Sequence, residues 1–113
     1  MSDTLQQQAQ DLFNLTLTDI QTAQFATYAQ ELADWNEKIN LTAIIDPDGI
    51  RVRHFLDSLS VATAHTLTTG AFVVDIGTGA GFPGLPLAIA FPNIRVTLID
   101  STGKKITFLD HVI

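Results

Sequence analysis

Two carboxylates and a group of glycines are the residues whose types and spacing could do chemistry. Asp75 ends an apolar run, and Asp100 ends a second run of the same kind. Four glycines come after the first acid and span eight positions: Gly77, Gly79, Gly81 and Gly84. A glycine turn lets backbone N–H groups approach a ligand closely, and an acid at the tip of the next parallel strand can accept hydrogen bonds from both hydroxyls of a ribose. The pattern therefore predicts a site for a cofactor that contains a nucleoside.

Two classes of cofactor use such a site. The segment from Gly79 to Gly84 has the spacing of a dinucleotide fingerprint, with Asp100 placed for the ribose. A dinucleotide, however, brings a pyrophosphate to the helix N-terminus, where Asp75 would repel it. A carboxylate there suits the ammonium and sulfonium groups of S-adenosylmethionine. S-Adenosylmethionine is therefore the favoured cofactor, and a nicotinamide-dependent oxidoreductase stays open as the alternative.

The elements that must position these residues follow from apolar spacing and from the breakers between apolar runs. We predict strands over 71–76 and 95–100, with a helix over about 83–90 between them. Pro83 and Pro86 fit its first turn, because N–H groups there have no intrahelical partner, and Pro92 stops it. Another helix begins near Gly103. The order is strand, glycine turn, helix, strand.

Helices are predicted upstream of the first strand. Residues 18–21 read as a capping box that begins a long amphipathic helix ending near Lys38, and a shorter helix over about 6–14 precedes it. Asp46 and Pro47 begin a further helical stretch that runs towards His65. Asn36 and Asn40 should cap or bridge the backbone after the long helix. The positions expected to face a core are Phe25, Tyr28, Ala29, Leu32, Trp35, Ile39, Ile50, Phe55, Leu56 and Leu59.

Five segments carry a resemblance to a known family. Residues 75–81 resemble motif I of class I S-adenosylmethionine-dependent methyltransferases. The segments Trp35–Thr42, His54–Leu59, Gly81–Ala88 and Leu98–Lys105 resemble, in this order, the RsmG family, also called GidB. That resemblance covers roughly residues 30–113. It implies a methyltransferase acting on N7 of a guanine in small-subunit ribosomal RNA, alone or as a ribonucleoprotein, with S-adenosylmethionine as cofactor.

The resemblance also implies a fold and residue roles. We expect an α/β, class I methyltransferase (Rossmann-like) fold, truncated, with a helical cap over 1–69 and the first half of the cofactor domain over 70–113. The cofactor-binding residues would be Asp75, Gly77, Gly79, Gly81, Phe82 and Asp100. The glycine backbone and Asp75 would hold the methionine portion, Phe82 would pack alongside, and Asp100 would hold the ribose. Guanine N7 carries a lone pair and no proton, so no general base is needed and no catalytic residue is assigned.

Two strands cannot complete a doubly wound sheet, so we expect this chain to be the N-terminal portion of a longer enzyme. The residues that contact adenine and guanine are expected beyond Ile113. Such a portion should expose a strand edge and apolar surface and tend to self-associate. It would be inactive alone, and a non-catalytic binding fragment stays open as a further alternative.

Composition limits the remaining possibilities. The chain has 113 residues, 46% of them apolar, and a net charge of −6, which argues against generic nucleic-acid binding. The clusters Arg51–His54 and Lys104–Lys105 are expected to be solvated. There is no cysteine, and the spacing of His54, Asp57 and His65 matches no common ligand set, so no metal site is predicted. A polar N-terminus and the absence of a long apolar run predict a cytoplasmic protein.

Overall fold

The computed structural model describes residues 2–44, 46–64 and 67–113. Its elements in chain order are α1 (Ser2–Phe13), α2 (Asp19–Asn36), α3 (Pro47–Gly49), a π-helical segment (Ile50–Leu56), α4 (Asp57–Leu59), α5 (Val61–Ala64), β1 (Phe72–Ile76), α6 (Gly84–Ala90), β2 (Arg95–Ile99) and α7 (Gly103–Val112). The predicted order of helices and strands is confirmed. The fold class is α/β, with helices first and a strand–helix–strand unit after them.

The two strands lie side by side and parallel. Phe72 pairs with Arg95 at one end, and Ile76 pairs with Ile99 at the other. Helix α6 connects the strands and packs on both. Because parallel strands end at the same edge of a sheet, the glycine turn after β1 and the residue after β2, Asp100, lie at one edge.

Helix α2 begins at the predicted capping box. The Thr18 hydroxyl accepts the Gln21 N–H at 3.1 Å, and the Gln21 side-chain oxygen accepts the Thr18 N–H at 2.8 Å. The Gln21 side-chain nitrogen donates to the carbonyl oxygens of Ile89 and Ala90, at 3.1 and 3.3 Å. One side chain thus joins the start of α2 to the end of α6.

The core confirms most of the predicted apolar positions. Phe55 is fully buried, with its ring centroid 4.9 Å from Phe25 and 5.4 Å from Tyr28. Tyr28 is therefore a core residue, as expected. The other predicted positions that are buried are Ala29, Leu32, Ile50, Leu56 and Leu59. Trp35 and Ile39 are half-buried and pack against the same cluster.

The helical region differs from the expectation in four places. Helix α1 begins at Ser2 rather than near Gln6, because Leu5 in its first turns is already a core residue. Helix α2 ends at Asn36, whose side-chain oxygen accepts the N–H groups of residues 41 and 42, the bridging that was predicted for it. Asn40, given the same role, is exposed. The stretch Ile50–Leu56 is π-helical, with the Asp57 N–H bonded to the Val52 carbonyl five residues earlier. The predicted continuation towards His65 is present as the helices Asp57–Leu59 and Val61–Ala64, and His65 itself lies outside the described residues.

One face of the sheet is exposed and largely apolar. The exposed fractions are 64% for Phe72, 48% for Val74, 79% for Ile76 and 45% for Ile99. The expected apolar surface is therefore present on this chain, and self-association stays a prediction. Over the described ranges, none of the helices combines the length and apolar character needed to cross a membrane.

Candidate functional site

Asp75, in β1, closes the glycine turn onto the start of α6. Its Oδ2 atom accepts the Thr78 hydroxyl at 2.6 Å and the Gly84 N–H at 2.9 Å. These two bonds use both lone pairs of Oδ2 and join the beginning of the turn to its end. Oδ1 takes part in neither bond, so it is the oxygen from which this carboxylate can act on a ligand.

Asp100 holds the turn from the neighbouring strand. Its Oδ2 accepts the Gly79 N–H at 2.8 Å, and its Oδ1 accepts the Thr102 N–H at 2.9 Å. These backbone hydrogen bonds, that of Thr102 first, lower the pKa of Asp100 below its usual value, so the side chain is charged at neutral pH. Each oxygen accepts one backbone bond here and has capacity for a further donor, as a pair of ribose hydroxyls requires.

Six N–H groups of the turn, those of residues 77–79, 81, 82 and 84, are bonded within the protein. Those of Gly77 and Thr78 donate to the Ile99 carbonyl at 2.7 and 3.0 Å, and those of Gly81 and Phe82 donate to the Thr78 carbonyl at 3.0 and 3.1 Å. With Gly79 bonded to Asp100, the glycine N–H groups that were predicted to reach a ligand instead shape the turn. A ligand at this turn would therefore meet open space at Gly77 and Gly79 rather than free glycine N–H groups.

Gly77 and Gly79 form the open half of the turn. Their φ angles are +71° and +61°, and a Cβ placed on either would meet no atom within 4 Å. L-residues with side chains rarely adopt such angles. These two positions therefore provide a smooth, unfilled surface beside Asp75 and Asp100, which a bound molecule can approach.

Gly81 and Gly84 form the packed half. A Cβ on Gly81 would lie 2.6 Å from the Tyr28 hydroxyl oxygen, and one on Gly84 would lie 2.9 Å from Asp75 Oδ2. The Tyr28 hydroxyl donates to the Ala80 carbonyl. Burial first, and then the charge of Asp75, raises the pKa of Tyr28 well above its usual value, so it stays a neutral donor.

Phe82 continues the packed half into the helical region. Its ring is stacked on His54, with centroids 4.2 Å apart and an interplanar angle of 8°, and it lies 5.5 Å from Tyr28. His54 Nε2 is 2.8 Å from the Thr42 hydroxyl. Burial lowers the pKa of His54, with the charge of Asp57 acting in the opposite direction, so the imidazole is predominantly neutral at pH 7. The structure thus brings together Phe82 and His54, which the sequence had placed in different motifs.

Thr78 and Tyr28 are the two residues at this site that sequence reasoning missed. Thr78 gave a local signal, since a hydroxyl three positions after an acid commonly bonds to it in a turn. Tyr28 gave none, because its bond to Ala80 joins residues that are 52 positions apart. Both stabilise the turn through its own atoms.

The remaining predictions concern a basic cluster and a metal site. Arg51 contacts Asp48 at 2.8 Å and Gln8 at 2.9 Å, so it is held by neighbours rather than solvated on all sides. Within residues 2–44, 46–64 and 67–113, no three His, Asp or Glu residues are grouped as metal ligands. His65 lies outside those residues.

Strand β1, the glycine turn, α6 and β2 form a βαβ unit in which carboxylates from both strand ends hold one turn. A βαβ unit with a glycine-rich first turn and an acid after its second strand is the arrangement of Rossmann-like proteins that bind nucleoside cofactors. The family model of GidB, described as rRNA small subunit methyltransferase G, matches residues 21–113. The chain belongs to the GidB family, a class I methyltransferase family. The predicted family is confirmed.

Individual relatives agree with the family model. The chain is 47% identical over 98 residues to the ribosomal RNA small subunit methyltransferase G of Oceanobacillus iheyensis, covering 87% of this chain and 41% of the relative. It is 50% identical over 97 residues to the protein of that name from Halalkalibacterium halodurans, covering 86% of this chain and 41% of the relative. It is 46% identical over 112 residues to the protein of that name from Alkaliphilus oremlandii, covering 99% of this chain and 46% of the relative. The chain thus spans less than half the length of these relatives.

Proposed function

We propose that this chain carries part of the cofactor site of an S-adenosylmethionine-dependent methyltransferase that modifies guanine N7 in small-subunit ribosomal RNA. Family membership supports the reaction class and the RNA. The observation that carries the choice of cofactor is the open half of the turn, at Gly77 and Gly79, between two carboxylates. The cytoplasmic location and the division at residues 69 and 70 stay predictions.

Asp100 fits the ribose of this cofactor. The backbone bonds from Gly79 and Thr102 fix its carboxylate and keep it charged, and each oxygen has capacity for one more donor. Two neighbouring hydroxyls can therefore bind to a carboxylate that is already oriented. No rotation of Asp100 is needed for this, so little conformational entropy is lost on binding.

Asp75 and the bonded N–H groups favour a cationic ligand over a dinucleotide. A pyrophosphate needs free N–H donors, whereas those of Gly77, Gly79, Gly81 and Gly84 are bonded within the protein. A carboxylate beside the open half attracts an ammonium or sulfonium group. Both features argue against the nicotinamide alternative.

Methyl transfer to N7 places modest demands on the protein. S-Adenosylmethionine, when bound, supplies an electrophilic methyl group on a sulfonium. Guanine N7 presents a lone pair without a proton, so the protein's contribution is to hold donor and acceptor in line. In this chain that contribution consists of the shaped glycine turn, Phe82 packed against His54, and the two oriented carboxylates.

Isothermal titration of the chain with S-adenosylmethionine and, separately, with NAD tests the proposal. We expect S-adenosylmethionine to bind and NAD not to bind, and Asp100→Ala to weaken binding by about tenfold or more, since two charge-assisted hydrogen bonds are lost. Asp75→Asn retains an acceptor for the turn but removes the charge, so it should weaken binding without unfolding the chain.

Asp110→Ala is the matched control, because it removes an exposed acid from α7 and changes the net charge equally. Preference for NAD would overturn the proposal. Equal affinity of the parent chain and the Asp100→Ala variant for S-adenosylmethionine would show that the ribose assignment is wrong.

A further inference from the structure

A pocket of about 260 Å³ lies where the C-terminal end of α2 meets the N-terminal end of α7. It is lined by Glu37, Lys38, Ile39, Asn40, Thr102, Lys104 and Lys105. A water molecule occupies roughly 30 Å³ in the liquid, so a hydrated phosphate group fits in this space. We propose that the pocket binds a phosphate of the RNA backbone, with Lys38, Lys104 and Lys105 as its cationic ligands.

The packing of α2 against α7 creates this group of lysines. Glu31 lies 2.9 Å from His111, and the rings of Trp35 and Phe108 are 5.8 Å apart, so the two helices run in opposite directions. Lys38, just beyond the end of α2, therefore reaches the start of α7. Its ammonium group lies 5.6 Å from the centre of the Trp35 ring, which holds it close to the helix pair.

The distribution of charge favours an anion in this pocket. The chain has six lysines and arginines against twelve acids, yet three of the six line this one pocket, with Glu37 as its single acidic lining residue. A net charge of −6 gives RNA no general attraction to the chain. A contact between this chain and RNA would then form at a local group of cations, and phosphate neutralisation by lysine is the interaction that supplies such affinity.

The pocket adjoins the candidate cofactor site. Thr102 lines it, and the Thr102 N–H donates to Asp100, the proposed ribose ligand. A phosphate bound by these lysines would fix an RNA strand close to the methyl donor, orienting it without reading its sequence. The inference rests on the proposed function for the choice of RNA as the source of the phosphate.

Fluorescence anisotropy of a short labelled RNA, titrated with the 113-residue chain, tests the pocket. The variant with Lys38→Gln, Lys104→Gln and Lys105→Gln should bind RNA about tenfold more weakly at about 50 mM salt, with a shallower salt dependence. Each lost phosphate contact should lower the slope of log K against log salt by about 0.7–0.9. Circular dichroism should show the parent fold.

Arg95→Gln is the control for net charge, because Arg95 lies at the start of β2, at the opposite end of the strand from Asp100. It should change RNA affinity by much less than the roughly twofold per charge that a tenfold loss in the triple variant implies. A weakening of about twofold by Arg95→Gln would mean that total charge, and not the pocket, governs binding. An unchanged slope in the triple variant would also overturn the inference.

Two further outcomes separate the inference from the proposed function. If the chain binds S-adenosylmethionine but no RNA at low salt, the pocket inference is wrong and the cofactor proposal stands. If RNA binding depends on the lysines while S-adenosylmethionine does not bind, the pocket inference stands and the cofactor proposal is wrong.

A titration with inorganic phosphate tests the source of the phosphate. Binding of inorganic phosphate at the lysines, together with unchanged RNA affinity in the triple variant, would assign the pocket to free phosphate and overturn the choice of RNA.

Discussion

The turn after β1 has an open half, at Gly77 and Gly79, and a packed half, at Gly81 and Gly84. The two halves have different surroundings. A Cβ on the first pair would meet nothing within 4 Å, whereas on the second pair it would meet Tyr28 or Asp75. Glycine therefore serves two purposes within eight positions: open surface for a ligand in the first half, and close packing in the second. Glycine spacing alone does not distinguish them.

The largest expected effect comes from Gly81→Ala, in the packed half. The added methyl group would lie 2.6 Å from the Tyr28 hydroxyl, at a φ of +106° that L-residues avoid. Overpacking and backbone strain together should lower the free energy of unfolding by about 2–4 kcal/mol. Urea denaturation measures this loss.

A double-mutant cycle with Tyr28→Phe sharpens the test. Tyr28→Phe alone leaves the Ala80 carbonyl without its donor, yet in the Gly81→Ala background it also removes the atom that the new methyl group meets. The losses in free energy of unfolding measured for the two single variants should then sum to more than the loss measured for the double variant. Strict additivity would show that Tyr28 does not restrict Gly81.

A smaller loss of stability is expected from Gly79→Ala, in the open half. Strain at a φ of +61° should cost about 1–2 kcal/mol, while affinity for S-adenosylmethionine should fall about tenfold or more because the methyl group enters the ligand's space. Gly70→Ala is the matched control: its φ is +85°, its Cβ also meets nothing, and it precedes β1 at the other end of the strand.

The two variants should lose similar stability, and only Gly79→Ala should lose affinity in the titration. Equal loss of affinity in both would mean that strain alone weakens binding, and the open half would then have no special relation to the ligand.

The smallest expected effect is a change in the pH dependence of stability at His54. The ring of His54 is stacked on Phe82, next to the packed half of the turn. Because its pKa is lowered in the folded chain, the unfolded chain binds a proton first as the pH falls below about 6.5. His54 therefore favours folding above that pH, and its contribution is lost as the pH falls towards the lowered value.

His54→Phe retains an aromatic ring beside Phe82 and removes the titrating group. Its free energy of unfolding, from urea denaturation at about pH 7.5 and 5.5, should fall less on acidification than that of the parent. His54→Gln, which can still contact Thr42, separates loss of the stack from loss of the hydrogen bond. A fall in the His54→Phe variant as steep as that of the parent would contradict the role assigned to His54.

Features that depend on neighbours in sequence were predictable. The strands, the capping box at Thr18 and the start of α3 at Asp46 each follow from a few adjacent residues, and each was found. The π-helical segment was not predicted, because apolar spacing does not distinguish a bond to the fifth preceding carbonyl from one to the fourth.

The site was predicted as a set of residues but not as a network. Asp75, Phe82 and Asp100 do surround the predicted turn, and their contact with a cofactor stays a prediction. Their present partners depend on tertiary packing: His54 for Phe82, and the Gly79 N–H for Asp100. The grouping of Lys38 with Lys104 and Lys105 likewise depends on how α2 packs on α7, which no local pattern encodes.

The side chain of Gln21 holds two helix ends and also fixes the distance between them. Its oxygen holds the first turn of α2, and its nitrogen holds the last carbonyls of α6. Glutamate would offer no donor to α6, and asparagine would be one methylene too short to span both ends. The side chain of Gln21 therefore sets the distance between the start of α2 and the end of α6. Through these two helix ends it also sets how closely the helical region packs on the strand–helix–strand unit.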